Sequence, residues 1–126
     1  MFDHVSLGVR DIARSRRFYD AALAPLGFTA LSVGDESLGY GADGAIALWL
    51  QTSASPVPAD PRSGLHFCFV APSRAAVGDF HRAGLAAGGR DNGAPGLRAD
   101  YGPAYYAAYV VDPDGYRLEA LCDKEA

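Results

Sequence analysis

A histidine-bearing apolar run occurs twice in the 126-residue chain, and this repeat constrains the fold more than any other feature. The runs cover residues 3–9 and 64–70, and their histidines, His4 and His66, lie 62 positions apart, which is about half of the chain. A turn signal, an amphipathic stretch and a glycine follow each run. One repeat of this size predicts two copies of a single supersecondary unit rather than a solenoid.

The first half has the pattern of a strand, a helix and three further strands. Asp11 is a good N-cap for an amphipathic helix, which Pro25 and Gly27 should end. The predicted elements are a strand at 2–9, a helix at about 12–24, and strands at 28–33, 37–41 and 45–51.

The second half repeats this order. Ser73 should cap a helix over about 74–87, and Gly88-Gly89 should stop it. The predicted strands are 65–70, 104–111 and 115–122, with the last two joined by the turn at 112–115. Residues 90–103 are rich in Gly, Pro, Asp and Arg, which predicts a loop with at most one short strand.

The two halves predict a single domain built of two modules. The first βαβββ module covers 1–51, a Pro- and Ser-rich linker covers 52–63, and the second βαβββ module covers 64–126. A chain of this length forms one compact unit or two half-domains that share a core.

Composition excludes several classes of function. The net charge is −4 and there is no basic stripe, so nucleic acid is not an expected partner. The longest apolar runs fall well short of the ~18 residues that span a membrane, and no signal peptide is visible, which predicts a cytoplasmic protein without membrane association. Cys68 and Cys122 are expected to be free thiols.

Side-chain alternation predicts where the chemistry lies. If Val5, Leu7 and Val9 pack under the first helix, His4 faces away from it, and the same argument turns His66 and Glu119 away from the second helix. Two imidazoles and a carboxylate on one concave face can hold a divalent Fe, Mn, Ni, Co or Zn ion with open positions for substrate. The alternative is that these are ordinary strand residues, with Glu119 paired to Arg117.

Aromatic residues are candidates for the wall of the same concavity. Trp49 alternates with Ala47 and Gln51, which turns it towards the cavity while Ile46, Leu48 and Leu50 pack on the helix. Tyr101, Tyr105, Tyr106 and Tyr109 crowd one segment with Arg98. The predicted substrate-binding residues are Trp49, Arg98, Tyr101 and Tyr106, because an aromatic cup with an arginine suits a small anionic or aromatic ligand. The alternative for each is simple packing.

Four stretches of the chain resemble the vicinal oxygen chelate superfamily, which includes glyoxalase I, extradiol dioxygenases and bleomycin- and fosfomycin-resistance proteins. They are His4-Val5-Ser6-Leu7 with Asp11, Ser15 and Phe18-Tyr19; Leu26-Gly27-Phe28; Leu65-His66-Phe67; and the run Asp112-Pro113-Asp114-Gly115-Tyr116-Arg117-Leu118-Glu119. The run 89–96, with Tyr105-Tyr106, resembles a subgroup of small bacterial glyoxalase-like proteins. The resemblance implies an α+β fold in which two βαβββ modules form a sheet cup around a metal.

The resemblance also implies a ligand set and two classes of function. The metal ligands would be His4, His66 and Glu119, with Glu119 also catalytic, and a homodimer would cover the open sheet edges. The fourth glyoxalase ligand would align with Trp49 or, after a one-residue slip, with Leu48, and neither binds metal. The first hypothesis is a metal-dependent enzyme of the lyase, isomerase or dioxygenase type, acting on a small substrate with vicinal oxygens. The alternative is a metal-free small-molecule binding protein of the bleomycin-resistance kind.

Overall fold

The computed structural model of the protein describes residues 1–56 and 60–124. The first module contains β1 (Val5–Val9), α1 (Ile12–Leu23), β2 (Thr29–Val33), β3 (Ser37–Ala42) and β4 (Ala45–Thr52). The second contains β5 (Phe67–Val70), α2 (Arg74–Ala86), β6 (Arg90–Leu97), β7 (Tyr106–Val111) and β8 (Arg117–Cys122). The predicted α+β fold of two βαβββ modules is confirmed.

The two sheets share one topology. Their strand orders are β1-β4-β3-β2 and β5-β8-β7-β6, and in each the first strand runs parallel to the last. Val5 pairs with Leu48 and Phe67 pairs with Leu118, so the registers correspond residue by residue. His4 and His66 each immediately precede the first strand of their module.

Both helices begin at the predicted caps. The Asp11 carboxylate accepts from the Arg14 backbone N–H at 3.0 Å, and the Ser73 hydroxyl oxygen accepts from Ala76 N–H at 3.1 Å. A 3-10 turn, Ala24–Leu26, follows α1 and ends at Gly27, whose φ of 90° suits a residue without a side chain. A second 3-10 turn, Pro61–Ser63, lies within the predicted linker, and residues 57–59 of that linker lie outside the described residues.

The predicted loop at 90–103, with at most one short strand, is present in its second half, whereas its first half is a longer strand than expected. Residues Arg90–Leu97 form an eight-residue strand, β6, despite Gly93, Pro95 and Gly96. β6 is an edge strand that pairs only with β7, and its pairing shifts register twice. An edge strand tolerates a proline because one side of it needs no donor, and register shifts accommodate glycines.

One bulge overturns part of the alternation predicted for β4. Tyr40 pairs with Leu48 but Gly41 pairs with Ile46, so the ladder skips Ala47. The bulge moves Ile46 onto the face of Trp49, whereas Leu48 and Leu50 are buried on the core face as predicted.

The modules share one hydrophobic core and a buried polar clamp. Residues of both sheets and both helices contribute to a single cluster. At its edge, the Asp114 carboxylate of the second module accepts hydrogen bonds from Arg14 Nη2 (3.0 Å) and Ser15 Oγ (3.3 Å) of α1. Asp112 likewise accepts from the Tyr19 hydroxyl at 2.5 Å. The clamp therefore fixes α1 against the turn before β8.

Among the described residues, every helix is too short or too polar to cross a membrane.

Candidate functional site

Glu119 is the buried charged residue around which the candidate site is built. It lies in the middle of β8, between Leu118 and Ala120, which point into the core. Alternation along the strand turns the Glu119 side chain to the opposite face, as the sequence predicted. Only 3% of the residue is exposed, so its carboxylate needs hydrogen-bond donors within the protein.

Two phenols and an imidazole hydrogen-bond with the Glu119 carboxylate. The Tyr105 hydroxyl donates to Oε2 at 2.6 Å, and the Tyr109 hydroxyl donates to the same oxygen at 3.3 Å. His66 Nε2 lies 3.1 Å from Oε1. The predicted meeting of His66 with Glu119 is therefore present in the structure. Both oxygens of the buried carboxylate have partners.

The environment of the carboxylate keeps both tyrosines neutral. Burial, followed by the Glu119 charge and hydrogen bond, raises the pKa of Tyr109 to about 12. Burial, then the Glu119 hydrogen bond and charge, also raises the pKa of Tyr105. Neutral phenols keep their protons and remain hydrogen-bond donors to the carboxylate at neutral pH.

A cavity of about 470 Å³, here called the polar cup, lies over this group. Its volume is typical of small-molecule sites. The side chain of His66 is 50% exposed, so a ligand in the cup can reach the imidazole but not the whole of Glu119. The cup is lined by Gly64, His66, Asn92, Tyr101, Tyr105, Tyr109, Arg117 and Glu119.

The four predicted substrate-binding residues do not all line the polar cup. Tyr101 lines the cup, is 69% exposed and packs on Tyr105 with ring centroids 5.4 Å apart. Arg98 is not among the residues that line the cup, but its guanidinium carbon lies 5.3 Å from the centre of the ring of Tyr109, which does line it. The selection of Tyr106 needs correction, because this residue packs against the core and under Arg74. Alternation places Tyr105 and Tyr109, rather than Tyr106, on the face of Glu119.

Trp49 occupies the position in the first module that corresponds to Glu119 in the second. Ser6 pairs with Trp49 and Cys68 pairs with Glu119 in equivalent registers, which favours Trp49 over Leu48 in the alignment. The indole lies across Gly39, where an added Cβ would be 2.9 Å from Trp49 Cζ3. Trp49 is half-buried and is not among the residues that line the polar cup.

The donor set for a divalent ion is incomplete within one chain. His66 Nε2 and Glu119 Oε1 lie close together, but the His4 Nδ1 atom contacts Asp3 Oδ1 at 2.8 Å. In the part of the chain that the structure describes, no group of three His, Cys, Asp or Glu side chains is placed to hold a metal ion. Two of the three predicted ligands therefore fit one ion, and the third does not join them. Binding of a metal stays a prediction.

The position of Cys68 beside Glu119 was not predicted from the sequence, which indicated only a free thiol. The residue is exposed, but its thiol lies against Glu119 and Tyr105. Desolvation there, followed by the Glu119 charge, raises the pKa of the thiol to about 12. A thiol with such a pKa is almost entirely protonated at neutral pH and therefore a weak nucleophile.

We expect Cys68 to react slowly with 5,5′-dithiobis(2-nitrobenzoate) at pH 8, and Glu119→Gln to accelerate the reaction by lowering the thiol pKa. Cys122 is buried and should not react with the reagent in the native protein, so the reaction should report Cys68 alone. Glu36→Gln, at an exposed glutamate, is the matched control. Equal rates for wild type and Glu119→Gln would show that the carboxylate does not control the thiol.

The comparisons with known sequences and known structures point to the same protein family. A sequence model of the Glyoxalase/Bleomycin resistance protein/Dioxygenase superfamily matches residues 1–120. The crystal structure of a glyoxalase/bleomycin resistance protein from Albidiferax ferrireducens T118 is similar to this chain, with a TM-score of 0.80 and 33% identity over 96% of this chain and 97% of that one. No curated protein sequence gives a match to the chain.

More distant structures share the fold. A glyoxalase-related enzyme from Fulvimarina pelagi has a TM-score of 0.71 at 20% identity, covering 96% of this chain and 86% of that one. The bleomycin resistance determinant encoded on the transposon Tn5 has a TM-score of 0.63 at 20% identity, covering 99% of both chains. With the family match over nearly its whole length, the chain belongs to the Glyoxalase/Bleomycin resistance protein/Dioxygenase superfamily.

Proposed function

We propose that the protein is a glyoxalase-like enzyme that binds a small molecule with adjacent oxygen atoms in the polar cup and uses His66 and Glu119 as its reactive pair. The observation that carries the proposal is the buried Glu119 carboxylate, held by two phenols and set against a half-exposed imidazole. A charge that is buried and fully hydrogen-bonded beside an accessible histidine suits proton-transfer chemistry.

The carboxylate orients the imidazole. When His66 Nε2 donates its proton to Glu119 Oε1, Nδ1 is left as the proton acceptor of the ring. Glu119 then stabilises the imidazolium that forms when Nδ1 takes a proton from a bound hydroxyl or carbon acid. Such a carboxylate–imidazole pair acts as a general base without further groups.

The rest of the polar cup suits an aromatic or planar ligand. The Tyr101 and Tyr105 rings form one wall, and Asn92 offers an amide. At the rim, Arg117 is anchored by hydrogen bonds from Nε (3.2 Å) and Nη2 (3.0 Å) to the Leu65 carbonyl oxygen. A fixed guanidinium beside aromatic walls favours ligands whose oxygens carry partial or full negative charge.

Catechol, a planar molecule with two adjacent hydroxyls, is the probe for this proposal. We expect wild type to bind catechol in calorimetric titration, and Glu119→Gln to bind it about 10-fold or more weakly. The variant loses the charged partner of the His66–Glu119 hydrogen bond that orients the imidazole, and a hydrogen bond to a charged group contributes about 1.5–3 kcal/mol. The matched control is Glu36→Gln at an exposed position, which should bind like wild type. Equal affinity of Glu119→Gln and wild type would reject the cup as the site.

Metal dependence is the second candidate, and one distance favours it. His66 Nε2 and Glu119 Oε1 are 3.1 Å apart, a separation that two ligands of one ion adopt when each bond is about 2.0–2.2 Å. Because His4 does not join this pair within the described chain, we propose that His4 of a second copy completes the set, and this candidate then requires the predicted homodimer. Half of the His4 side chain is accessible to such a partner.

Titration with Ni²⁺ tests this candidate. We expect binding to wild type, loss of detectable binding in His66→Ala, and unchanged binding in His81→Ala, because His81 lies on α2, where its Nε2 contacts the Asp91 carboxylate of β6 at 2.9 Å. His4→Ala should weaken Ni²⁺ binding only at protein concentrations at which light scattering shows a dimer. Identical Ni²⁺ affinity for wild type and His66→Ala would eliminate metal dependence through this set.

A further inference from the structure

A second cavity of about 470 Å³, here called the apolar cleft, lies beside the polar cup. It reaches between the modules, from β1 and β4 to β5. Its walls are almost entirely apolar, and they include Phe2, Val5, Leu7, Phe28, Phe67 and Phe69.

The cleft and the cup meet at β5. His66 lines both cavities. Cys68 lines the cleft while its thiol contacts Glu119 and Tyr105 of the cup. β5 is the edge strand of its sheet, so the cleft reaches side chains on both faces of this strand. Cys68 lies on one face, and Phe67 and Phe69 lie on the other. A ligand bound over His66 can therefore extend past the strand edge into the cleft.

The chemistry of the cleft defines what can occupy it. Besides His66 and Cys68, Tyr40 is the only one of the described lining residues with a polar side-chain atom, and its hydroxyl donates to Asp20 at 2.8 Å. No Lys, Arg, Asp or Glu lines the cleft among the described residues. A polar or charged occupant would lose its hydration without compensation, whereas an apolar one gains by leaving water.

We propose that the ligand of this protein is amphipathic, with an oxygen-bearing head in the polar cup and an apolar tail in the apolar cleft. This inference rests on the proposed function of the cup and adds the chemical class of the ligand. The shared wall at His66 and Cys68 joins the two parts, and the aromatic side chains at 2, 28, 67 and 69 surround the tail.

Alkyl esters of 3,4-dihydroxybenzoic acid test the proposal, because they keep the catechol head and vary only the tail. Calorimetric titration of the methyl, butyl and octyl esters, all below their aggregation concentrations, should show affinity that rises by up to about fourfold for each methylene buried. Ala47→Phe, which fills the cleft, should collapse the ratio of octyl to methyl affinity. Ala45→Phe, at an exposed position of the same strand outside the cleft, should keep that ratio.

The outcomes separate the two proposals. Methyl-ester binding that Glu119→Gln weakens, with affinity independent of tail length, would overturn the amphipathic ligand and leave the cup as the site. A rise with tail length that survives Ala47→Phe would place the tail elsewhere, and a second copy or another segment would then cover the cleft. Absence of binding by every ester would overturn both proposals.

Discussion

Replacement of Asp114 by alanine is expected to lower the free energy of unfolding by about 3 kcal/mol. The side chain of Asp114 is 0% exposed and accepts from Arg10 N–H at 3.0 Å, in addition to Arg14 and Ser15. Alanine would remove the acceptor of all three donors at the junction of the two modules. Removal of one partner of a fully buried ion pair costs about 3–5 kcal/mol, and partial exposure of Arg14 places this case at the lower end.

Urea denaturation followed by circular dichroism measures this loss. Asp35→Ala, at an exposed aspartate in a turn, is the matched control and should stay within about 0.5 kcal/mol of wild type. A change below about 1 kcal/mol in Asp114→Ala would mean that the clamp does not hold the modules together.

The second large effect is expected for Gly41→Ala, at about 2–3 kcal/mol of destabilisation. A Cβ at Gly41 would overlap the carbonyl oxygen of Ala45 and lie 2.8 Å from its carbonyl carbon. These are backbone atoms of the paired strand, so no side-chain rotation relieves the clash. The β3–β4 hairpin would have to open next to its turn.

Gly78→Ala is expected to have the opposite effect on stability to Gly41→Ala. Gly78 lies in α2, and an added Cβ would meet nothing within 4 Å. Alanine should stabilise the helix there by about 0.5–1 kcal/mol. The same denaturation experiment compares both variants, and a Gly41→Ala protein as stable as wild type would show that the bulge adapts.

The sequence predicted most of the fold because its signals were local and repeated. Asp11 and Ser73 mark helix starts through side-chain caps, and the alternation around Glu119 needs only one strand to be assigned correctly. The strand at 90–97 escaped prediction because its glycines and proline oppose β propensity, and pairing with β7 along one edge overrides them.

The candidate site was predicted in part, for a physical reason. Alternation brought His66 to Glu119 because His66 immediately precedes β5 and Glu119 lies on the neighbouring strand, β8. It did not separate the tyrosines of the segment before and within β7, because the sequence did not show which of the two alternating sets faces the core. It could not place His4 relative to His66, since that depends on how the two sheets, or two chains, pack together.

The three histidines of the chain allow a direct test of the polar cup as the ligand site. Imidazole nitrogen NMR of labelled protein, titrated with catechol, reports on each ring separately, with His81 on α2 as the internal reference. Our account predicts that the signals of His66 shift and saturate while those of His81 do not move. A shift at His81 without one at His66, or no shift of any ring at saturating catechol, would contradict it.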